Sequence, residues 1–252
     1  MNETNFTRFT GVGDIYAKHR PSYSEMFIKY LYSDVGIYKD SIIADICSGT
    51  GILSKQLLEA GNKVIAVEPN DDMRAVAEAN LKSFINFNSI NGTAENTTLD
   101  DNSVDFITVA QAFHWFDQTM FKKECTRILK QNGKVILVYN IPDFNAEVVK
   151  EDNEINKKYC PTFGVSNNGV RFSEDNIDDF FTGKCELKIF QNDQIYDLDG
   201  FIGRNLSRSS ALKENDKNYS AYITAITTSF NKHAVNGKLV MPNATKSYAG
   251  TV

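Results

Sequence analysis

Cysteine is scarce: the chain has four in 252 residues, Cys47, Cys125, Cys160 and Cys185, and none falls in a C-x-x-C or Cys/His ligand spacing. A disulfide framework and a zinc site are therefore not expected, no metal is called for, and reduced thiols are the default. An excess of basic residues is also missing, with 27 Lys+Arg against 32 Asp+Glu, a formal net charge of -5 and a pI near 5.3. Nucleic acid and anionic lipid both ask for a basic face, so neither is an expected partner. No apolar run approaches the ~18 residues of a membrane span. The opening stretch "MNETNFTRFTGVGDIY" has neither an apolar h-region nor a small-residue cleavage site. No secretory leader is expected from it, and a cytoplasmic location follows as the expectation. Repeats and low-complexity linkers are lacking too.

What is present is an ordinary globular composition, 42% hydrophobic and 23% charged, at a length that fits one large domain or a domain with an insertion. Five apolar, β-branched runs recur: Ser41–Ile46, Lys63–Val67, about Ile85–Ile90, Val104–Val109 and Lys134–Tyr139. The third is short and polar. Between them lie helical patterns. "GILSKQLLEAG" carries Ile52, Leu53, Leu57 and Leu58 on one stripe and stops at Gly61. "DDMRAVAEANLKS" spaces Met73, Val76, Ala77 and Leu81 as a buried face, and "DQTMFKKECTRILKQNG" repeats the device up to Gly133. This alternation predicts an α/β fold, a Rossmann-like, doubly wound and mostly parallel sheet with helices on both faces. Right-handed crossovers then bring every β→α loop to one edge.

After Asn140 the rhythm breaks. Residues 141 to about 183 read as helix and loop, Lys184–Leu198 as a strand or strand pair, and "GFIGRNLSRSSAL" and "NYSAYITAITTSFNKHA" as helices. The expected organisation is an N-terminal lid plus ligand-binding core over 1–140, a helical substrate-cap insertion with a late strand over 141–236, and terminal strands over 237–252 that complete the core sheet antiparallel. Phe144, Tyr159, Phe163, Phe172, Phe180 and Phe181 would give the cap an aromatic lining, or simply a core.

The informative motif is the first strand–loop–helix junction, "DICSGTG" from Asp45 to Gly51. Gly49 and Gly51 permit positive φ and close backbone approach there, where ligands of open α/β sheets bind. Two ligand classes compete. A dinucleotide asks for G-x-G-x-x-G/A, which Gly49, Gly51 and Ser54 only approximate, and its pyrophosphate would sit beside the Asp45 carboxylate. S-adenosylmethionine (SAM) carries an ammonium and a sulfonium that suit Asp45, and a carboxylate that suits a helix N-terminus. Glu68, at the end of the second strand, can accept both hydroxyls of a ribose diol, which either ligand offers. Met73, one turn into the next helix, could meet an adenine face or merely pack.

With "DICSGTG", "VIAVEPNDDM", "GTAENTTLDDNSVDFITVAQAFHWFD" and the opening "YAKHRPSY" in view, the chain resembles the class I SAM-dependent methyltransferases. More narrowly, it looks like the small-molecule methyltransferases of the trans-aconitate methyltransferase-like group. The likeness covers Tyr16 to about Tyr139 and returns in the ending "NGKLVMPNATKSYAGTV". It implies that Asp45, Gly49 and Gly51 surround the methionine part of SAM and that Glu68 binds the ribose. It puts Ala94 and Glu95 beside the adenine, and Gln111 and Ala112 near the amino-acid end, with His114 and Trp115 following. Tyr16 and Arg20 would belong to a lid, where Arg20 could pair with the cofactor's carboxylate. Cys47 stands where glycine is common, which implies a bulkier turn.

The resulting expectation is a SAM-dependent methyltransferase that turns SAM into S-adenosylhomocysteine (SAH) while methylating a small molecule at O or N, as a monomer or homodimer. An NAD(P)-binding oxidoreductase and a non-catalytic SAM-binding protein are the alternatives. His114 is the candidate catalytic base, against a plainer role in an aromatic cluster that seats the next helix. Methyl transfer from a sulfonium needs alignment and water exclusion above all, and a base only for a protonated acceptor. The acidic pI and "AQAFHW" in place of Asn/Asp-Pro-Pro-Tyr disfavour methylation of nucleobases.

Overall fold

A computed structural model of the chain describes residues 10–11, 13–163, 175–208 and 210–252. Helices α1 (Gly13–His19) and α2 (Glu25–Tyr30) lead in. Five strands follow, separated by helices except between the third and fourth: β1 (Ile42–Ile46), α3 (Ile52–Glu59), β2 (Lys63–Val67), α4 (Asp71–Leu81), β3 (Phe87–Ile90), β4 (Val104–Ala110), α5 (Gln118–Ile128) and β5 (Leu129–Pro142). Beyond them come α6 (Glu147–Tyr159), α7 (Asp175–Phe180), β6 (Glu186–Gln191), β7 (Gln194–Tyr196), α8 (Leu198–Leu206), α9 (Tyr219–His233), β8 (Leu239–Met241) and β9 (Asn243–Gly250).

The main sheet has seven strands in the order β3-β2-β1-β4-β5-β9-β6. β1 to β5 run parallel, and β9 lies antiparallel to both β5 and β6. Strand parity sorts the two faces, because successive side chains point to opposite sides. Ala44, Ile46, Val135 and Leu137 pack toward Phe113, Phe121, Ile128 and Phe180. Ile43, Val64, Ile136 and Val138 pack toward Phe27, Leu31, Leu53 and Leu57. Each of the Val, Leu, Ile and Phe side chains among these stabilises by about 1.5–3 kcal/mol when fully buried.

Local chemistry fixes the helix starts. The side chains of Asn70, Asp117 and Asp197 accept the backbone N–H of Met73, Met120 and Gly200 at 2.9, 3.0 and 2.8 Å, an N-cap each. The expected stop of α5 at Gly133 needs correction. Leu129 is already extended (φ -71°, ψ 136°), pairs with Val104, and begins β5. Residues 130–133 form an irregularity in the β4–β5 ladder, turned by Asn132 at φ 66°, before Lys134 pairs with Phe106.

Residues 141–236 divide between two places. α6, α8, α9 and the β7–β8 ribbon enclose a third cluster around Val149, Phe201, Tyr222 and Ile226, which is the cap. α7 and β6 return to the main body, with Phe180 and Phe181 in the core beneath α5 and Phe121 stacked on Phe180 at 5.5 Å. Tyr159 and Phe163 belong to the cap cluster, Phe144 is exposed, and Phe172 lies outside the described residues. α1 bridges the two parts. Its Gly13 lies against Val76 and Asp72 of α4, and its His19 ring fills the space where a Gly203 side chain would stand, 2.4 Å from that position.

Candidate functional site

The C-terminal ends of β1, β2 and β4 meet at one edge of the sheet, and their loops are conformationally unusual. Cys47 (φ 53°), Gly49 (φ 59°) and Gly51 (φ 81°) after β1, and Gln111 (φ 61°) after β4, all take left-handed backbone. At Cys47 and Gln111 this costs on the order of 1–2 kcal/mol each, a strain typical of ligand loops. Gly49 and Gly51 serve different ends. A Cβ on Gly49 would meet nothing within 4 Å, so the loop surface there is open to a ligand. One on Gly51 would come within 2.7 Å of the Leu81 methyl, so that glycine lets the loop seat on α4.

Under the loop, Asp45 is fully buried. Ser54 Oγ donates to its Oδ2 at 2.6 Å and Thr108 Oγ1 to its Oδ1 at 2.9 Å. Burial pushes the Asp45 carboxyl up to about 6, while the hydroxyl donors pull the other way. Glu68 accepts the Gly49 N–H at 2.8 Å through Oε2 and the Asn70 N–H at 2.8 Å through Oε1. Burial raises it to about 7 against those two amides and Arg74. Its two oxygens retain acceptor capacity, since a carboxylate offers about four lone-pair sites. The Cys47 thiol is held well up by burial and by the charges of Glu68, Glu95 and Asp45. Glu95 Oε1 accepts the Asp117 N–H at 2.9 Å and so ties the loop after β3 to the start of α5.

A second cluster lies across from these loops. Tyr16, Arg20, Gln111, Asn140, Arg204 and Arg208 line a cavity of about 220 Å³ between the lid helix, the β4 loop and the cap. The Arg20 guanidinium sits 4.9 Å from the Tyr16 ring centroid and donates through Nη2 to the Ser207 carbonyl at 3.2 Å. Gln111 Nε2 donates to the Asn140 carbonyl at 3.2 Å, and the Gln111 N–H to the Val138 carbonyl at 3.0 Å.

The structure thus joins Asp45, Gly49 and Glu68 in one set and Tyr16, Arg20 and Gln111 in another. Met73, Ala94 and Ala112 are buried side chains of the surrounding core, and Gly51 is a packing point. His114 and Trp115 lie in a 3-10 turn (Phe113–Trp115) with ring centroids 4.7 Å apart. Burial draws His114 down to about 4, and its Nδ1 has no hydrogen-bond partner among the described residues. The imidazole is neutral at pH 7, and a conjugate acid this strong makes it a weak proton acceptor. Thr108, Asn140, Arg204 and Arg208 have no site role in the sequence reading, and Ser54 enters it only as a small loop residue, not as a donor to Asp45. Only the two arginines left a trace, four apart in "GRNLSR" and so on one helical side.

A SAM molecule fits the chemistry of this edge. Asp45 and Glu68 supply negative charge, Gly49 leaves its surface bare, and buried Ser48 Oγ and Thr50 Oγ1 have no hydrogen-bond partner among the described residues. A pyrophosphate fits less well, because Glu68 already occupies the Gly49 amide that it would claim.

The strand order and these loops define a Rossmann-like fold of the class I methyltransferase type. Residues 44–137 match the family model described as a methyltransferase domain. The chain is 38% identical over 140 residues, 56% of its length, to a Mycobacterium tuberculosis protein named as an uncharacterised methyltransferase. It is 31% identical over 150 residues to a Schizosaccharomyces pombe protein named likewise, and these matches span 55% and 58% of the relatives' own lengths. The chain therefore spans little more than half of the curated relatives it matches.

Among solved structures, a protein of Anaeromyxobacter dehalogenans named as a candidate type II methyltransferase superposes with a TM-score of 0.69 at 20% identity, covering 92% of this chain and 97% of that one. The phosphoethanolamine N-methyltransferase 2 of Haemonchus contortus, solved with SAM, superposes at 0.53 and 14% identity, covering all of this chain and 58% of that one. These likenesses are of fold. The family match is confined to residues 44–137.

Proposed function

We propose that this chain is a SAM-dependent methyltransferase acting on a small molecule. The observation that carries the reading is the hydrogen-bonded set at the strand ends: a fully buried Asp45 beneath the loop, an open Gly49 upon it, and Glu68 bonded to the Gly49 amide. The methyltransferase-domain match over residues 44–137 covers all three.

When bound, SAM supplies a methyl group on a sulfonium, an already good leaving group. The residues of the chain have three tasks. Asp45, held by Ser54 and Thr108, places fixed negative charge below the loop, where the cationic end of the cofactor would lie. Glu68 orients the loop through Gly49 and Asn70 and keeps lone pairs for a ribose diol. Arg20 offers its guanidinium to the cofactor's carboxylate, and the lid and cap exclude water from the acceptor. His114, held neutral and weakly basic, suits orientation of the acceptor better than proton removal.

Release of SAH from SAM in the presence of a panel of small acceptors tests the catalytic part. An acceptor-dependent rate above the protein-free control is expected. SAM binding with no SAH released by any acceptor would instead mark a binding protein.

A further inference from the structure

Among the described residues, β6 ends the main sheet and pairs only with β9, from Glu186 to Gln191 without a shift of register. Sheet edges are ordinarily blunted by a proline, a bulge, a free lysine or a covering element, because unpaired backbone groups invite a further strand. β6 has no proline and no bulge, and its one lysine, Lys188, is neutralised by Glu186 at 3.2 Å. The Asn192 N–H donates to the Asn243 carbonyl at 2.8 Å, in register with the ladder. Even-numbered residues of β6 therefore turn their backbone groups toward β9, and Leu187, Ile189 and Gln191 turn theirs outward.

The side chains sort by the same parity. Phe190 packs inward on Phe27 and Tyr30, with ring centroids 6.1 and 5.4 Å apart, and Glu186 accepts the Tyr30 hydroxyl at 3.0 Å. On the opposite face Leu187 and Ile189 are 44% and 57% exposed. Ile189 joins Phe144, itself 57% exposed, in lining an open groove with Pro142 and Pro242. This apolar patch runs along the unpaired row of backbone groups, so one added strand would cover both.

We propose that β6 is the docking surface for a second copy of this chain, strand against strand and antiparallel about a two-fold axis at Leu187. The occupant follows from the charge pattern. Antiparallel pairing sets residues with outward backbone groups opposite one another, so the axis must fall on a residue. An axis at Lys188 would set lysine against lysine, and one at Ile189 would set Lys188 against Phe190. An axis at Leu187 sets Leu187 against itself, Cys185 against Ile189, and Glu186 against Lys188 in both directions. These Glu186–Lys188 pairs are the non-hydrogen-bonded ones, where side chains stand closest, and each acid keeps its own lysine while gaining the partner's. A strand from another protein would have to reproduce this alternation, which the chain's own β6 supplies by symmetry. The two main sheets then join into one.

The experiment is sedimentation equilibrium of the full chain between about 1 and 500 µM. A reversible dimer with Kd on the order of 1–100 µM is expected of a small, strand-sized interface. Glu186→Lys and Lys188→Glu each set like charges opposite one another, and each should weaken self-association about tenfold or more. Mixed in equal amounts, the two variants restore opposite charges and should pair about as tightly as the wild-type chain. Should a variant fail to fold, hydrogen exchange on the wild-type chain reads the same contact. The Leu187 and Ile189 amides should exchange about tenfold more slowly at the top of the concentration range than at the bottom. A monomer at every concentration, a dimer that both folded variants leave intact, or exchange at Leu187 and Ile189 that ignores concentration would each overturn the proposal. None of these results depends on SAM or SAH binding.

Discussion

The two walls of the site are opposite in sign and in construction. The sheet edge gathers carboxylates, Asp45 in β1 and Glu68 and Glu95 on the loops after β2 and β3, braced by backbone amides and hydroxyls. The lid and cap gather guanidinium groups, Arg20, Arg204 and Arg208, on or just past helices, and the last two share one acid, Asp152. The difference teaches how each wall tolerates burial. The acids are stabilised by local donors and a partial return to the protonated form, since burial lifts Asp45 and Glu68 toward neutrality. Arginine cannot shed its proton at working pH, so the cap must supply Asp152. A ligand with a cationic centre and a separate carboxylate matches both walls at once.

The largest expected effect strikes the basic wall. Asp152→Ala leaves two guanidinium groups without their shared partner and should destabilise the chain by about 3–5 kcal/mol, read as a lower denaturant midpoint. Recovery of most of that loss by adding Arg204→Met would confirm that the charge, not the cavity, is responsible. On the acidic wall, Glu68→Ala should weaken SAH binding by about 10- to 100-fold, the 1.5–3 kcal/mol of hydrogen bonds to a charged group. Unchanged affinity would refute its place at the ribose.

The pH response separates the walls next. Folded Asp45 and Glu68 titrate near 6 and 7 against ordinary values of 3.8 and 4.5, so the fold holds protons that the unfolded chain has lost. Their contribution is complete below about pH 4 and declines as pH rises to about 7. Asp45→Asn should flatten the lower part of that decline in unfolding curves, and an unaltered slope would contradict the burial account. The smallest effect concerns Cys47 at φ 53°. Cys47→Gly should stabilise by up to about 1 kcal/mol by removing left-handed strain, with SAH binding kept, whereas a destabilised variant would show that the thiol's packing outweighs the strain.

The same contrast explains what was legible in the sequence. β1, β2 and β4 follow from continuous apolar, β-branched runs and helices α3 and α4 from period-3.6 patterning, and the acidic residues sit at or just past the ends of those strands. The basic wall was invisible as a set. Arg20, Asp152 and Arg204 are far apart in the chain and meet only through α1, α6 and α8, and no local pattern encodes such a meeting. The end of α5 was misplaced because Asn132-Gly133 reads as a helix stop, whereas that turn belongs to an irregular start of β5. The alternation in Lys184–Leu198 predicts a strand or strand pair, and it forms two strands that go to different sheets, a matter of tertiary pairing. Phe180 and Phe181 suggested a cap lining because they follow the break in rhythm, yet α7 carries them back under the main sheet.

The central claim is that the strand-end loops hold a cationic cofactor in place of a pyrophosphate. Its most direct test is parallel calorimetric titration of the wild-type chain with SAM and with NAD+ at pH 7.5. The account predicts one SAM per chain at submillimolar affinity and no measurable heat from NAD+. Saturable NAD+ binding with none for SAM would contradict it.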